Sequence, residues 1–470
     1  MASEPIREPE LYIGGEWLAG GGGECEVEDP ATERLVGIVT QASRTDVDRA
    51  VDAARDAFDA WASTSAADRI ATLRQLRDVI ADRADVFAEL ITLEQGCPPA
   101  VSRKLHVDTP LEIVTHATDV LEKYPFRRQL DNSVILREPV GVVAAITPWS
   151  LPLYQILVKV VPILAAGCTV VLKPATLTPL TAFELARAFE SVGFPPGVFN
   201  LVAGRGRDIG DQLSRHPNVD HVSFTGSTSV GRQVAAAAVD TLKGVTLELD
   251  GKSSSVVLSD VSDDLLAKAV RVTVANCFLN SGQMATALSR LIVPESRLAQ
   301  VEELAVAAAA KHVPGERLGP LISSGRRFAV ESYLELGVAK VLTGAVPLPE
   351  VGYYVPPTIF SDVDPGSVLA QEEILGPVLS IIPVESDDHT IEVVNSAKHA
   401  LRCALWVEDG QRALEWAARI RTGQVSVNAE PFNPRSPFGG YKQSGIGREI
   451  DYGIDDVLKV KAVQLSPGSL

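Results

Sequence analysis

The strongest constraint on the fold is an alternation between residues 141 and 225, where short apolar runs trade places with helical periodicity. Residues 141–147 (Gly-Val-Val-Ala-Ala-Ile-Thr) are apolar on both faces, so a strand here must be covered on both sides. Residues 153–166 then predict a helix, 168–173 a strand, 180–192 a helix, 198–202 a strand, 209–215 a helix and 221–224 a strand. Each helix can carry the chain back to the starting edge, which predicts an open, mostly parallel sheet. Upstream, residues 11–18 predict a hairpin around Gly14-Gly15, and 44–62 and 66–93 predict amphipathic helices. Val79, Ile80, Val86, Phe87, Leu90 and Ile91 form the apolar stripe of the second stretch. A second αβ block runs from about 251 to 435, with a helix around 301–312 and a strand at 378–383. The tail, 457–465, alternates like a strand.

At 470 residues the chain exceeds what one core supports. Lys plus Arg is 43 against 60 Asp plus Glu, a net charge of −17, which argues against nucleic acid and anionic membrane partners. The most apolar run, 156–168, is too short to span a bilayer and carries Lys159 and Pro162. The five cysteines (Cys25, Cys97, Cys168, Cys277 and Cys403) are scattered, with no CxxC pair. That reads as thiols in a reducing compartment and, with an acidic N-terminus lacking an apolar h-region, predicts a cytoplasmic location. The seven histidines show no metal-ligand spacing, so no metal is expected.

Three loops point to a nicotinamide dinucleotide. Lys173-Pro174-Ala175 ends a strand with a lysine able to reach a ribose hydroxyl or phosphate across the carboxyl edge of the sheet. Gly204-Arg-Gly206-Arg-Asp-Ile-Gly210 follows a strand and opens a helix; alone it is a plain glycine turn. Phe224-Thr225-Gly226-Ser227 precedes Val230-Gly231-Arg232, so a helix N-terminus there offers donors to a diphosphate.

In order and wording these segments resemble the aldehyde dehydrogenase superfamily. The resemblance runs through Ile146-Thr-Pro148-Trp149, Leu172 to Ala175, Gly193 to Asn200, Phe224 to Ser227 and Glu248-Leu-Asp-Gly-Lys252. It continues with Phe278-Leu-Asn-Ser-Gly282-Gln283, Glu372-Glu373-Ile-Leu-Gly376-Pro377 and Pro437 to Gly445. It implies an α/β fold with a Rossmann-type dinucleotide-binding domain (1–122 and 141–250) and an α/β catalytic domain (251–435). A small β oligomerisation element (123–140 and 455–470) would build a homodimer or homotetramer. It implies NAD or NADP, held by Thr147, Pro148, Trp149, Lys173, Ala175, Thr176, Gly206, Gly210, Phe224, Thr225, Gly226, Ser227, Val230, Leu249, Glu373 and Leu375. By resemblance Lys173 contacts a ribose, Ser227 the diphosphate and Glu373 the nicotinamide ribose. Lys159 lies near a proton path and Glu248 is the general base. Thr176 stands where NAD-preferring relatives carry a glutamate that repels a 2′-phosphate, so NADP is allowed. The implied ligand is a small-molecule carbonyl compound.

The departures cluster at the chemistry. Ala285 stands at the position of the nucleophilic cysteine, and a methyl group cannot attack an aldehyde. Ser150 replaces the oxyanion-hole asparagine, and Asp250 a motif glycine, adding bulk and charge two residues from Glu248. Lys459 replaces a tail glutamate of the proton relay. Changes on both sides of Ala285, at Met284 and Thr286, read as drift after loss of the nucleophile rather than a single engineered alanine. Cys277, eight residues earlier, reads as core; Thr286 and Ser289 have no adjacent base. Ordinary thiohemiacetal chemistry is therefore expected to be lost. Three readings remain: hydride transfer without a thiol, a cofactor-binding pseudoenzyme, or a pocket recruited for non-redox carbonyl chemistry.

Overall fold

The structure is a computed structural model that describes residues 4–430, 433, 436–450 and 453–466, and in it the alternation becomes two large sheets. The first has eight strands, in the order Gly445–Ile446, Gly244–Glu248, His221–Thr225, Val142–Ile146, Thr169–Lys173, Phe199–Leu201, Glu10–Ile13 and Glu16–Ala19. The five strands from Gly244–Glu248 to Phe199–Leu201 are parallel. From Val142–Ile146 the next two strands step one way and the two after them step the other. Such a switch point opens a crevice beyond the carboxyl ends of the strands. Those ends carry Thr147, Lys173, Thr225 and Glu248. The helix Pro152–Ala166 is buried almost throughout against this sheet, which explains its apolar composition.

The hairpin at 11–18 forms, but its first strand also pairs with Phe199–Leu201 and extends the sheet. The stretch 66–93 is two helices, Ala66–Asp82 and Ala84–Gln95, broken at Arg83. The break resets the helical phase, so Val86 is 43% exposed while Ile80, Phe87 and Ile91 are fully buried. Residues 206–210 form a π-turn that leads into the short helix Asp211–Arg215, and the helix expected at 301–312 spans Leu298–Ala309.

The second sheet has seven strands, in the order Lys340–Val341, Thr358–Ser361, Val378–Val384, Arg290–Pro294, Ser254–Val257, Arg402–Trp406 and Gln424–Val427. All but the first are parallel. A third, three-stranded sheet pairs the tail strand Leu458–Gln464 with Ser133–Pro139 and that with Arg127–Leu130. Residues 467–470 of the expected oligomerisation element, and 431, 432, 434 and 435 of the second block, lie outside the described residues. No described helix is long and apolar enough to cross a membrane.

One buried acid ties two helices of the first core to each other. The helix Leu180–Val192 has no side-chain cap of its own. Glu94, from Ala84–Gln95, accepts the Leu180 N–H at 2.7 Å, the Thr181 N–H at 3.1 Å and the Thr181 hydroxyl. Burial still pushes its carboxyl up to about 7 from an ordinary 4.5. A raised value means its contribution to stability is complete below pH 4.5 and is lost as pH rises through about 7. Glu94→Ala, which strands buried donors, is expected to lower unfolding free energy by roughly 3 kcal/mol in urea titrations. Glu94→Gln should flatten the pH dependence of Tm between those two values; an unchanged slope would refute the assignment.

Candidate active site

Where the carboxyl edge of the first sheet meets the second, a cavity of about 830 Å³ opens. That is room for a cofactor's reactive end and a substrate together. Of the residues expected at the site, Pro148, Trp149, Ser150, Thr225, Gly226, Ser227, Glu248, Leu249, Ala285, Glu373 and Leu375 line it. Lys173, Ala175, Thr176, Gly206 and Gly210 lie off the cavity, around the neighbouring strand ends. Thr147, Phe224 and Lys159 are buried beside the cavity wall, and Val230 is exposed on the helix Thr228–Val239.

The loop that presents Ala285 is strained and pinned. Asn280, Ser281 and Gly282 are all left-handed, with φ of 52°, 56° and 72°. A Cβ on Gly282 would lie 2.1 Å from the Gly376 carbonyl oxygen, so only glycine fits. Asn280 Nδ2 donates to the Ser150 carbonyl at 2.8 Å. Gln283 accepts the Ile322 N–H at 2.9 Å, and Ser253 Oγ donates to the Ala285 carbonyl at 3.1 Å. The side chain this scaffold delivers to the cavity is a methyl group. No cysteine lines the cavity. Cys277 is buried in the helix Asp263–Phe278, its Sγ turned to the Val378 carbonyl, and burial pushes its thiol up to about 12. Cys168 likewise faces the Val457 carbonyl from within the core.

Glu248 ends its strand buried, and neither carboxylate oxygen has a protein hydrogen bond of ordinary geometry among the described residues. Burial first, and then Glu449, raise its pKa well above the usual carboxylate range; Lys159, Arg448 and the Gly440 N–H oppose this. Lys159 is not a free proton carrier: its Nζ is ion-paired with Glu449 and donates to Ser223 Oγ at 3.2 Å. Glu449 has no motif of its own in the sequence. It arrives because Gly445–Ile446 pairs with Gly244–Glu248. Lys459, expected at the proton relay, is exposed on the tail strand opposite Glu138.

Asp250 does not load charge beside Glu248. Its Oδ2 accepts the Thr228 N–H at 2.9 Å, at the start of the helix Thr228–Val239. Its carboxyl also shares a hydrogen bond with Glu373, whose own Oε1 accepts the Gly251 N–H at 2.8 Å. Burial, and then Asp250, push Glu373 up to about 8, so it is largely neutral at pH 7. Arg326 and Tyr154, which no motif singles out, also line the cavity, and Arg326 stacks over the Trp149 ring at 5.8 Å.

The edge fits a nicotinamide dinucleotide. Lys173 Nζ donates to the Pro174 carbonyl at 2.8 Å and to no other described group, leaving hydrogens for ribose hydroxyls. Burial lowers it to about 8. The hydroxyls of Thr147 and Thr225 are buried without partners among the described residues. The helix N-terminus capped by Ser227 reaches the cavity wall, as a diphosphate requires. Thr176 Oγ1 donates to the Gly204 carbonyl at 3.3 Å. Asp250, already on one of the helix N–H groups, is the feature that opposes an anionic ligand.

Comparison with known proteins gives one answer. The family model described as aldehyde dehydrogenase family matches residues 17–463. A relative from Pseudomonas sp., named 3-succinoylsemialdehyde-pyridine dehydrogenase, is 42% identical over 98% of this chain and 99% of its own length. A cysteine-to-alanine mutant of aldehyde dehydrogenase C from Pseudomonas syringae, solved with NAD+ and octanal, superposes with a TM-score of 0.95 at 41% identity, covering 98% of each chain. The Mycobacterium tuberculosis aldehyde dehydrogenase solved with NAD+ does so at 0.95 and 37% identity, covering 99% of this chain and 100% of that one.

Proposed function

Because this chain belongs to the aldehyde dehydrogenase family, we propose that it binds NAD(P) and a carbonyl compound in this cavity, with the covalent thiol route closed to it. The observation that carries the reading is a pinned nucleophile loop presenting Ala285 to a cavity that no cysteine lines. The similar P. syringae structure, an alanine mutant holding both NAD+ and octanal, supports the idea that such a cavity can be occupied without a thiol. NAD(P)+ bound there supplies a hydride acceptor. Lys173 and the helix N-terminus at Ser227 orient it, and Trp149 packs beside it. Thr176 leaves the adenosine ribose open to a 2′-phosphate. In this reading residues 1–122 and 141–250 bind the cofactor, 251–435 complete the cavity, and 123–140 with 455–470 join copies into a homodimer or homotetramer.

Glu248 favours a second reading. A buried carboxylate with no side-chain hydrogen-bond partner among the described residues, its proton affinity raised by burial, is suited to take a proton from a bound substrate. An aldehyde hydrate placed against it could lose an O–H proton to Glu248 and its C–H hydride to the acceptor, giving the carboxylic acid with no covalent intermediate. Single-turnover NAD(P)H absorbance, with NAD+ or NADP+ and a panel of aldehydes and alcohols, separates the two. Cofactor binding by calorimetry with no absorbance change supports the first reading. Absorbance growth that survives iodoacetamide supports the second. Growth abolished by iodoacetamide would overturn both.

A further inference from the structure

Arg402 opens the strand Arg402–Trp406, in register with Gln424, and its side chain lines the cavity. It is half-buried, yet it has no ion pair or hydrogen bond among the described residues. Burial weakens its charge, and only Cys403 and Tyr154 favour it; no Asp or Glu is among the groups acting on it. The other buried guanidiniums behave differently. Arg69 donates to the Ala165 carbonyl at 3.0 Å and the Thr64 carbonyl at 2.7 Å, and Arg290 donates to Ser254 Oγ at 2.7 Å. The Arg402 guanidinium is half-buried and faces the cavity with its donors untaken among the described residues, so an anion in the cavity can take them.

Its location fixes which ligand could do so. Cys403, the next residue, pairs with Ser254, and Ser253, which precedes Ser254, donates to the Ala285 carbonyl, while Tyr154 lines the same cavity and packs with Leu151 and Met284. Arg402 therefore sits at the end of the cavity where the carbonyl carbon would lie. Asp250, Glu372 and Glu373 gather at the cofactor end. An anion must also enter against a net charge of −17, so a local cation decides whether it stays.

We propose that Arg402 binds a carboxylate carried by the substrate, so that the cavity selects carboxylated carbonyl compounds, semialdehydes and oxo acids, over neutral aldehydes. The proposal rests on the carbonyl-binding reading above and names its substrate class. A planar guanidinium takes a carboxylate in two parallel hydrogen bonds, which an aldehyde or alcohol cannot supply.

Calorimetry on the full chain, with and without NAD+, would titrate succinic and adipic semialdehydes against butanal and hexanal. The expected result is a preference of about tenfold or more for at least one carboxylated aldehyde over its neutral counterpart. Arg402→Met should abolish the preference while leaving NAD+ binding unchanged, which shows that the variant folds. Arg402→Lys should keep part of it. Equal binding of the two classes by the unmodified chain, binding of neither, or a preference that survives Arg402→Met would overturn the proposal. If NAD+ fails to bind while carboxylated aldehydes bind selectively, the cofactor reading falls and the role of Arg402 stands.

Discussion

Ala285→Cys combined with Ser150→Asn is expected to give thiol-dependent aldehyde oxidation, read as NADH formation that iodoacetamide abolishes. Ala285→Cys alone should be slower by about 10² to 10³, the usual cost of one missing oxyanion donor. The reason lies in what the loop has kept. Its three left-handed residues, the Asn280 bond to the Ser150 carbonyl and the Ser253 bond to the Ala285 carbonyl still fix position 285 at the cavity wall. A sulfur placed there would need no new backbone. It would still face a developing alkoxide beside Ser150, whose shorter side chain brings no amide N–H to the charge. In the proposed reading Glu248, buried beside the cavity, would activate water for the second step. If the double variant folds, binds NAD+ and stays silent across a broad aldehyde panel, loss of these two groups does not explain the cavity's chemistry.

Asp250→Gly is expected to tighten NAD+ binding by about tenfold or more, measured by calorimetry at pH 7. Asp250 occupies the Thr228 N–H that a diphosphate would use and sets a carboxylate against its charge. Asp250→Asn separates the two effects: it can still accept that N–H but removes the charge, so it should recover only part of the gain. The pH dependence follows from Glu373, whose carboxyl is raised to about 8 by burial and then by Asp250. It is neutral below that value and ionised above it, so the affinity of the unmodified chain for the anionic cofactor should fall as pH rises through about 8. Removing Asp250 removes the second cause, and the inflection should move to lower pH. An affinity unchanged in Asp250→Gly would show that the diphosphate does not use this helix end.

The parallel sheet was legible because each central strand is apolar on both faces and each crossover is helical, a pattern with few alternative layouts. The helix break at Arg83 was not, since no Gly or Pro marks it, and the phase error exposed Val86. Ala285 and Ser150 were legible only through the family resemblance, because each sits inside a short run whose neighbours match the family's motifs. Glu449, Arg402 and the turn of Asp250 toward Glu373 were not. No local spacing links Lys159 to Glu449, 290 residues apart, or Thr228 to Asp250.

The sequence alone determined the layered α/β fold and the carboxyl-edge loops, because those depend on periodicity and on short segments, and its resemblance to the family put a methyl group at the expected thiol position. Only the tertiary structure decided which charges meet. The ion pair behind Glu248, the acid on the helix N-terminus and the unpaired guanidinium of Arg402 depend on strands from distant parts of the chain being brought together around one cavity.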